Sequence, residues 1–185
     1  MGDKKHNEII RLGLILFTIT FITALLLAFV NGITKDKIAE NSAKTKKEAM
    51  QQIFSNADSF DKLNLAATDV VTEGYTAKKD GKSIGYVISV EPQGFGGAIS
   101  MLVGITPDKK VSTYVITNMN ETPGLGTKAK DASFSSQFKD KTANIKVVKT
   151  TPSNNEVQAI SGATISSNAV TKGINAALDA VSKLG

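Results

Sequence analysis

Hydrophobic residues are concentrated near the start of the chain, in one long run. Residues 12–34 contain no charged side chain, and residues 12–30 are dense in Leu, Ile, Phe and Val. As a helix, these 19 residues reach about 28 Å, close to the roughly 30 Å hydrocarbon core of a bilayer. A signal peptide is the alternative because Lys4, Lys5 and Arg11 precede the run, but the run is too long and no Ala-x-Ala-like site follows it. The pattern favours an uncleaved single-pass membrane anchor.

A polar stretch follows the apolar run. Residues 35–54 are rich in Ala, Lys and Glu, with sparse apolar positions that include Ala49 and Ile53. This spacing predicts a helix that continues from the membrane and docks on a globular part. We therefore divide the chain into a charged tail at 1–11, a transmembrane helix at 12–34, a juxtamembrane helix or linker at 35–56 and one domain at 57–185.

Beyond the polar stretch, apolar and polar residues alternate with the period of β-strands. The alternation predicts strands at 70–79 and 84–90, joined by a tight turn at Asp80-Gly81. A second antiparallel pair, with one face buried, is predicted at 99–105 and 111–117. The domain is therefore expected to contain an antiparallel sheet.

Two loops that contain glycine flank the second pair of strands. Residues 94–97 precede its first strand and residues 121–126 follow its second strand, so both loops are expected at the same end of the sheet. Each loop also has a purely structural interpretation. Residues 94–97 would suit a glycine bulge at a sheet edge, and Thr122-Pro123-Gly124 would suit a type II turn.

Helices and one short strand are predicted for the last third of the chain. Residues 131–138 form a short helix with Phe134 and Phe138 in the core, and residues 145–148 form a final strand. After Ser167, apolar residues recur at the three- and four-residue steps of one helix face. These positions are Val170, Ile174, Ala177, Leu178 and Val181. The fold class is α+β, an N-terminal transmembrane helix followed by one domain with an antiparallel sheet and flanking helices.

The segment just before the last helix is rich in small and hydroxylated residues. Gly162 and Ala163 allow a ligand to approach the backbone closely, and Thr164 offers a hydroxyl. Ser166 and Ser167 are expected to be N-caps, and the dipole and free N–H groups at a helix start favour an anion. Taken alone, the pattern is more typical of a loop with an ordinary serine cap than of an anion site.

Composition removes several classes of function. The chain has no cysteine, which excludes disulfides and cysteine-ligated zinc or iron–sulfur sites. His6 is the single histidine and lies in the charged tail, so neither a catalytic nor a metal site is expected. The formal net charge of +5 is spread along the chain with few aromatic residues, which argues against nucleic acid. Lys44, Lys46 and Lys47 follow the anchor and are assigned to lipid headgroups or to solvation.

Three motifs together resemble the FMN-binding domain family, in particular the G subunits of Rnf complexes and, more distantly, the NqrC subunits of sodium-translocating NADH:quinone oxidoreductases. The first motif is Ser161-Gly162-Ala163-Thr164 with Ile165-Ser166-Ser167, similar to the site at which FMN is esterified to Thr. The second is Glu121-Thr122-Pro123-Gly124-Leu125-Gly126, and the third is Gly94-Phe95-Gly96-Gly97. The motifs stand in the family order behind a membrane anchor and cover nearly the whole chain.

The resemblance implies an electron carrier with FMN bound covalently to Thr164 and with the other residues of the three motifs, except Ile165, around it. The implied partners are other membrane subunits of an Rnf-type complex, a flavin transferase and membrane lipid, and the domain would lie outside the cytoplasm. One position departs from the transferase recognition pattern, because Gln158 stands where an Asp is common and cannot supply its charge. The alternatives are a flavinylated domain of another extracellular reductase or a binding module without redox function.

Overall fold

The computed structural model describes residues 2–184, with side chains from residue 8 onward, so the expectation for the side chain of His6 lies outside the described residues. The chain forms two compact units, Met1–Lys44 and Thr45–Gly185. Helix α1 (Gly2–Ile53) supplies most of the first unit and the beginning of the second.

The first unit is helical and exposes its apolar side chains. Its large hydrophobic residues from Ile9 to Ile33 are all exposed. An 18-residue window of the helix has a mean hydropathy of 2.6, so the helix is long and apolar enough to cross a membrane. A helix that is apolar on all sides and not buried in protein is typical of a membrane span.

The second unit is built on a five-stranded antiparallel sheet in which each strand pairs with the next along the chain. Its strands are β1 (Ser59–Leu63), β2 (Val71–Lys79), β3 (Lys82–Val90), β4 (Ser100–Ile105) and β5 (Val111–Asn118). The four strands predicted by alternation are confirmed as β2 to β5, but the expectation that the second pair has one buried face was wrong, because β4 is buried on both faces. Strand β1 was not predicted, because its five residues are half-buried or exposed and show no apolar alternation.

The two faces of the sheet pack against different helices. On one face, Ile88, Met101 and Val103 join the main core with helix α3 (Thr164–Ser182). On the other face, Val87 and Leu102 pack against the last turns of α1, through Ala49, Met50 and Ile53. The docking of this helix end on the sheet was predicted from its apolar positions.

Short elements connect β5 to α3. They are a 3-10 helix (Gly126–Lys130), α2 (Ala132–Ser135), a second 3-10 helix (Ser136–Phe138), β6 (Lys146–Val148) and β7 (Glu156–Gln158). Phe134 and Phe138 are buried in the main core, as predicted. Their rings meet edge-on, with 5.3 Å between the ring centroids. The strand predicted at residues 145–148 is confirmed as β6, but it is not the final strand, because β7 follows it and pairs with it in parallel.

The order of the strands brings the glycine-containing loops together. The β3–β4 loop holds residues 94–97, and residues 121–126 follow β5, which pairs with β4. Hydrogen bonds run from the Phe95 and Gly96 N–H groups to the Glu121 side chain. Both loops therefore lie at the same end of the sheet, as the sequence predicted.

Candidate functional site

A cavity of about 360 Å³ opens where the two loops meet the start of α3. All three sequence motifs contribute to its walls. The lining residues are Phe95, Glu121, Thr122, Leu125, Gly126, Gly162, Ala163, Thr164, Ile165 and Ser166. The volume lies within the range typical of small-molecule sites.

The rim of the cavity is apolar and exposed. Phe95, Leu125 and Ile165 are 69%, 41% and 54% exposed. Within the described part of Thr45–Gly185, the only other large hydrophobic side chain with such exposure is Leu184. Exposed apolar side chains gathered around one concave site indicate contact with an apolar ligand surface.

Helix α3 begins at this cavity without a side-chain cap. Its N-cap residue is Ala163, which has no capping side chain, and no acidic residue stands in the first turn. The first backbone hydrogen bond that closes the helix runs from Ser167 N to Ala163 O at 3.0 Å. The N–H groups of residues 164–166 precede that bond, as the first groups of any helix do. Together with the helix dipole, they favour an anion at this end.

The expectation that Ser166 and Ser167 cap this helix was wrong. Helix α3 starts earlier, at Thr164, so both serines lie inside its first turns and are buried. The Ser166 hydroxyl donates to Glu121 Oε2 at 2.6 Å. The Ser167 hydroxyl donates to Ala163 O at 2.9 Å and accepts from Ile160 N at 3.0 Å. The Ser166 hydroxyl is therefore used in a long-range contact and the Ser167 hydroxyl in local ones, and neither caps the helix.

Glu121 is a buried carboxylate, 6% exposed, at the centre of the site. Its Oε1 accepts from Phe95 N at 2.8 Å and from Gly96 N at 3.1 Å, while its Oε2 accepts from Ser166 Oγ. A buried carboxylate without such donors would be strongly destabilising. One side chain thus joins the two loops to α3.

Residues 122–125 form a turn, as the structural interpretation of this motif predicted. Leu125 N donates to Thr122 O at 3.1 Å, and Gly124 has φ +74°. A left-handed residue at this position is the mark of a type II turn, with Pro123 before it. Gly162 has φ +75°, and a Cβ there would lie 3.2 Å from Leu125 Cδ2. The turn therefore brings Leu125 close to the segment that precedes Thr164.

Nine of the sixteen residues named from the sequence line the cavity, and seven lie behind or beside it. The seven are Gly94, Gly96, Gly97, Pro123, Gly124, Ser161 and Ser167. Ile165 also lines the cavity and was missed, because its position next to Thr164 was visible in the sequence but its exposure was not. Gln158 lies in β7 with an exposed side chain, and its backbone N–H donates to Gln137 Oε1 at 2.6 Å.

Comparison with known families and proteins gives consistent matches over nearly the whole chain. Residues 94–179 match the FMN-binding domain family, and residues 1–53 match the RnfG N-terminal region. The chain is 40% identical to the G subunit of the proton-translocating ferredoxin:NAD(+) oxidoreductase complex of Clostridium ljungdahlii, over 97% of this chain and 95% of that protein. It is 34% identical to the G subunit of the Na(+)-translocating ferredoxin:NAD(+) oxidoreductase complex of Acetobacterium woodii, over 95% and 93%.

The fold has a counterpart among solved structures. The crystal structure of the C subunit of the Na(+)-translocating NADH-quinone reductase from Parabacteroides distasonis matches with a TM-score of 0.56 and 23% identity. The match covers 74% of this chain and 82% of that one. At this identity the likeness concerns the fold alone.

Proposed function

Because this chain belongs to the family of Rnf complex G subunits, we propose that it carries FMN on Thr164, attached through a phosphoester, and transfers electrons within the complex. Its family makes it a membrane-anchored electron-transport subunit of an ion-translocating ferredoxin:NAD oxidoreductase. The names of its relatives give a proton in one case and sodium in the other, and the proposal covers either ion.

The observation that carries the proposal is the position of Thr164. It is the first residue of α3, half-buried, on the wall of the cavity and beside an uncapped helix start. A phosphate esterified to its hydroxyl would keep about one negative charge near the first-turn N–H groups. The segment therefore offers both an attachment point and an anion-binding end.

The rim residues suit the rest of FMN. Phe95, Leu125 and Ile165 would contact the apolar faces and edges of the isoalloxazine ring, and the backbone of the 122–125 turn would lie near its polar atoms. Bound FMN supplies the redox chemistry, by taking up electrons and passing them on. The contribution of this chain is to bind and orient the ring and to limit its contact with water.

Covalent attachment keeps the cofactor at the site. A tethered group has an effective concentration near the millimolar range, so a ring that leaves the cavity returns to it.

Covalent attachment matters most outside the cytoplasm, where free FMN is dilute, and we place the domain on that side. Labelling of an introduced cysteine at the exposed Asn154 with a membrane-impermeant reagent tests this placement, since the chain has no other cysteine.

We keep the division of the chain into a tail at 1–11, a transmembrane helix at 12–34, a juxtamembrane segment at 35–56 and an FMN-binding domain at 57–185. The last turns of α1 contribute Ala49, Met50 and Ile53 to the packing on the sheet. The end of the juxtamembrane segment is therefore part of the folded unit.

Besides the other subunits of the complex, we propose two partners for the protein, the flavin transferase and membrane lipid.

Intact-mass measurement after expression with a flavin transferase tests the attachment. The wild-type chain is expected to gain the mass of FMN less one water, and Thr164→Ala is expected to gain nothing. Thr122→Ala is the matched control, because Thr122 is an exposed threonine on the same cavity. A wild-type protein that stays unmodified, or a Thr164→Ala protein that is modified, would contradict the proposal.

A further inference from the structure

Glu121 makes more contacts than a residue that only lines a cavity. Its three donors come from two other segments: Phe95 N and Gly96 N from the β3–β4 loop, and Ser166 Oγ from the first turn of α3. Hydrogen bonds to a charged acceptor are stronger than neutral ones. The carboxylate therefore holds together three segments that are far apart in the sequence.

The glycines on either side of this carboxylate leave room for it. A Cβ on Gly94 would lie 2.2 Å from Glu121 Oε1, and a Cβ on Gly126 would lie 2.5 Å from Glu121 Oε2. Neither distance is compatible with a side chain. Two of the glycines in the sequence motifs are thus explained by the internal carboxylate, without any ligand.

The glycine-containing loop also presents its N–H groups as an anion-binding loop does. Two successive N–H groups, of Phe95 and Gly96, converge on one carboxylate oxygen. Convergent backbone N–H groups of this kind form anion-binding concavities in many phosphate sites. Here the anion is part of the protein, so an incoming phosphate meets the start of α3 rather than this loop.

We propose that Glu121 is a positioning residue that assembles the acceptor site before FMN arrives. Through Ser166 it fixes the first turn of α3, and with it the position of Thr164. Through Phe95 and Gly96 it fixes the loop whose apolar side chain faces the same cavity. That this site accepts FMN rests on the proposed function. The positioning of Thr164 and of the loop by Glu121 is a property of the chain before any FMN is attached.

Hydrogen exchange of the unmodified full-length chain in detergent tests the preassembly. In Glu121→Ala, the amides of Phe95, Gly96 and Ser167 are expected to exchange about tenfold faster or more, while the middle of α3 is unchanged. Glu121→Gln is expected to keep slow exchange, because its amide oxygen accepts both N–H groups and its NH₂ faces Ser166. Glu91→Ala is the control, since Glu91 is an exposed carboxylate that accepts from Ser100 Oγ at 3.2 Å.

Ser166→Ala covers the case in which Glu121→Ala does not fold. It removes one donor only, and the Ser167 amide is expected to exchange faster while the middle of α3 stays protected. Wild-type exchange at all three amides in Glu121→Ala, or at Ser167 in Ser166→Ala, would overturn the proposal.

The rate of flavin attachment gives the second measurement. With transferase and flavin donor added, Glu121→Ala is expected to be modified at least about tenfold more slowly than wild type, because a displaced acceptor reacts slowly. Glu121→Gln and Glu91→Ala are expected to react close to the wild-type rate. Equal rates for Glu121→Ala and wild type would overturn the positioning role, and so would a slow Glu121→Gln with normal exchange. A wild-type chain that is never modified would refute the proposed function, while the exchange data would still decide the preassembly.

Discussion

At the scale of single residues, one acidic side chain adds polar contacts to the apolar junction between the end of α1 and the sheet. Glu73 on β2 binds Lys46 of α1, accepts from Tyr75 Oη at 2.8 Å and lies 3.3 Å from Lys62 Nζ. Lys46 also lies over the Tyr75 ring, 4.9 Å from its centroid. Lys46 was assigned to lipid or to solvent from the sequence, and the structure gives it a partner within the protein.

Glu73 predicts a specific pH dependence of stability. Its hydrogen bonds with Lys46 and then Tyr75 lower the pKa of the carboxyl from 4.5 to about 2. A lowered pKa stabilises the folded state above the unfolded-state value, and this stabilisation is lost as the pH falls from about 4.5 to about 2. Because the side chains are about a third exposed, we expect a loss on the order of 1 kcal/mol.

Urea unfolding of the full-length chain in detergent, from neutral pH down to about pH 2, measures the effect. Glu73→Gln is expected to be less stable than wild type at neutral pH and to show a flatter pH profile below 4.5. Glu40→Gln is the control, since Glu40 is exposed and pairs with Lys37 of its own helix. Parallel profiles for wild type and Glu73→Gln would show that the pair does not contribute.

At the scale of elements, α3 also anchors a strand that has little support of its own. The Asn175 side chain donates to Ile145 O at 2.9 Å and accepts from Ile145 N at 3.0 Å, just before β6. Strand β6 has only three residues and pairs with a strand of equal length. A single side chain therefore satisfies both backbone groups of a residue that is 4% exposed.

Asn175→Ala is expected to destabilise the chain by about 1–3 kcal/mol, because it leaves a buried N–H and a buried C=O without partners. Chemical denaturation measures the difference, and exchange of the Ile145 amide should increase with it. Asn168→Ala serves as the control, because Asn168 is an exposed asparagine on the same helix. A loss of stability as small as that of the control would mean that water replaces both bonds.

Elements with a strong local pattern could be predicted, and those that depend on distant partners could not. Strands β2 to β5 alternate over six to nine residues, so their period is readable. Strands β1 and β7 are short and mostly polar, and they exist because β2 and β6 offer them partners. The start of α3 was placed too late because the Ser166 hydroxyl binds Glu121, which is 45 residues away in sequence.

The candidate site shows the same limit. The three motifs were recognisable, and nine of the residues they name line one cavity. The position of two of them at one end of the sheet was also predicted, but their hydrogen-bonded connection to α3 was not, because it depends on a carboxylate whose partners lie 25, 26 and 45 residues away. Local pattern gave Glu121 the same role as its neighbours in the turn.

At the scale of the whole molecule, the second unit has two cores, one on each face of its sheet. The site belongs to the face covered by α3, whereas the last turns of α1 cover the other face. Strands β3 and β4 contribute to both, with Val87 and Leu102 on one side and Ile88 and Met101 on the other. One face of these strands therefore holds the end of α1, and the opposite face holds the helix that borders the cavity.

The uncapped start of α3 has a consequence for the turnover of the protein in its host. A missing cap typically costs about 1 kcal/mol, which corresponds to roughly a fivefold larger unfolded fraction. Proteases act on that fraction, so chains whose Thr164 carries a phosphoester should outlive chains that lack it. Pulse-chase labelling is expected to give Thr164→Ala a shorter half-life than Thr122→Ala, and equal half-lives would count against this. Proteolysis would then remove unmodified chains faster and leave the membrane enriched in chains that carry the phosphoester.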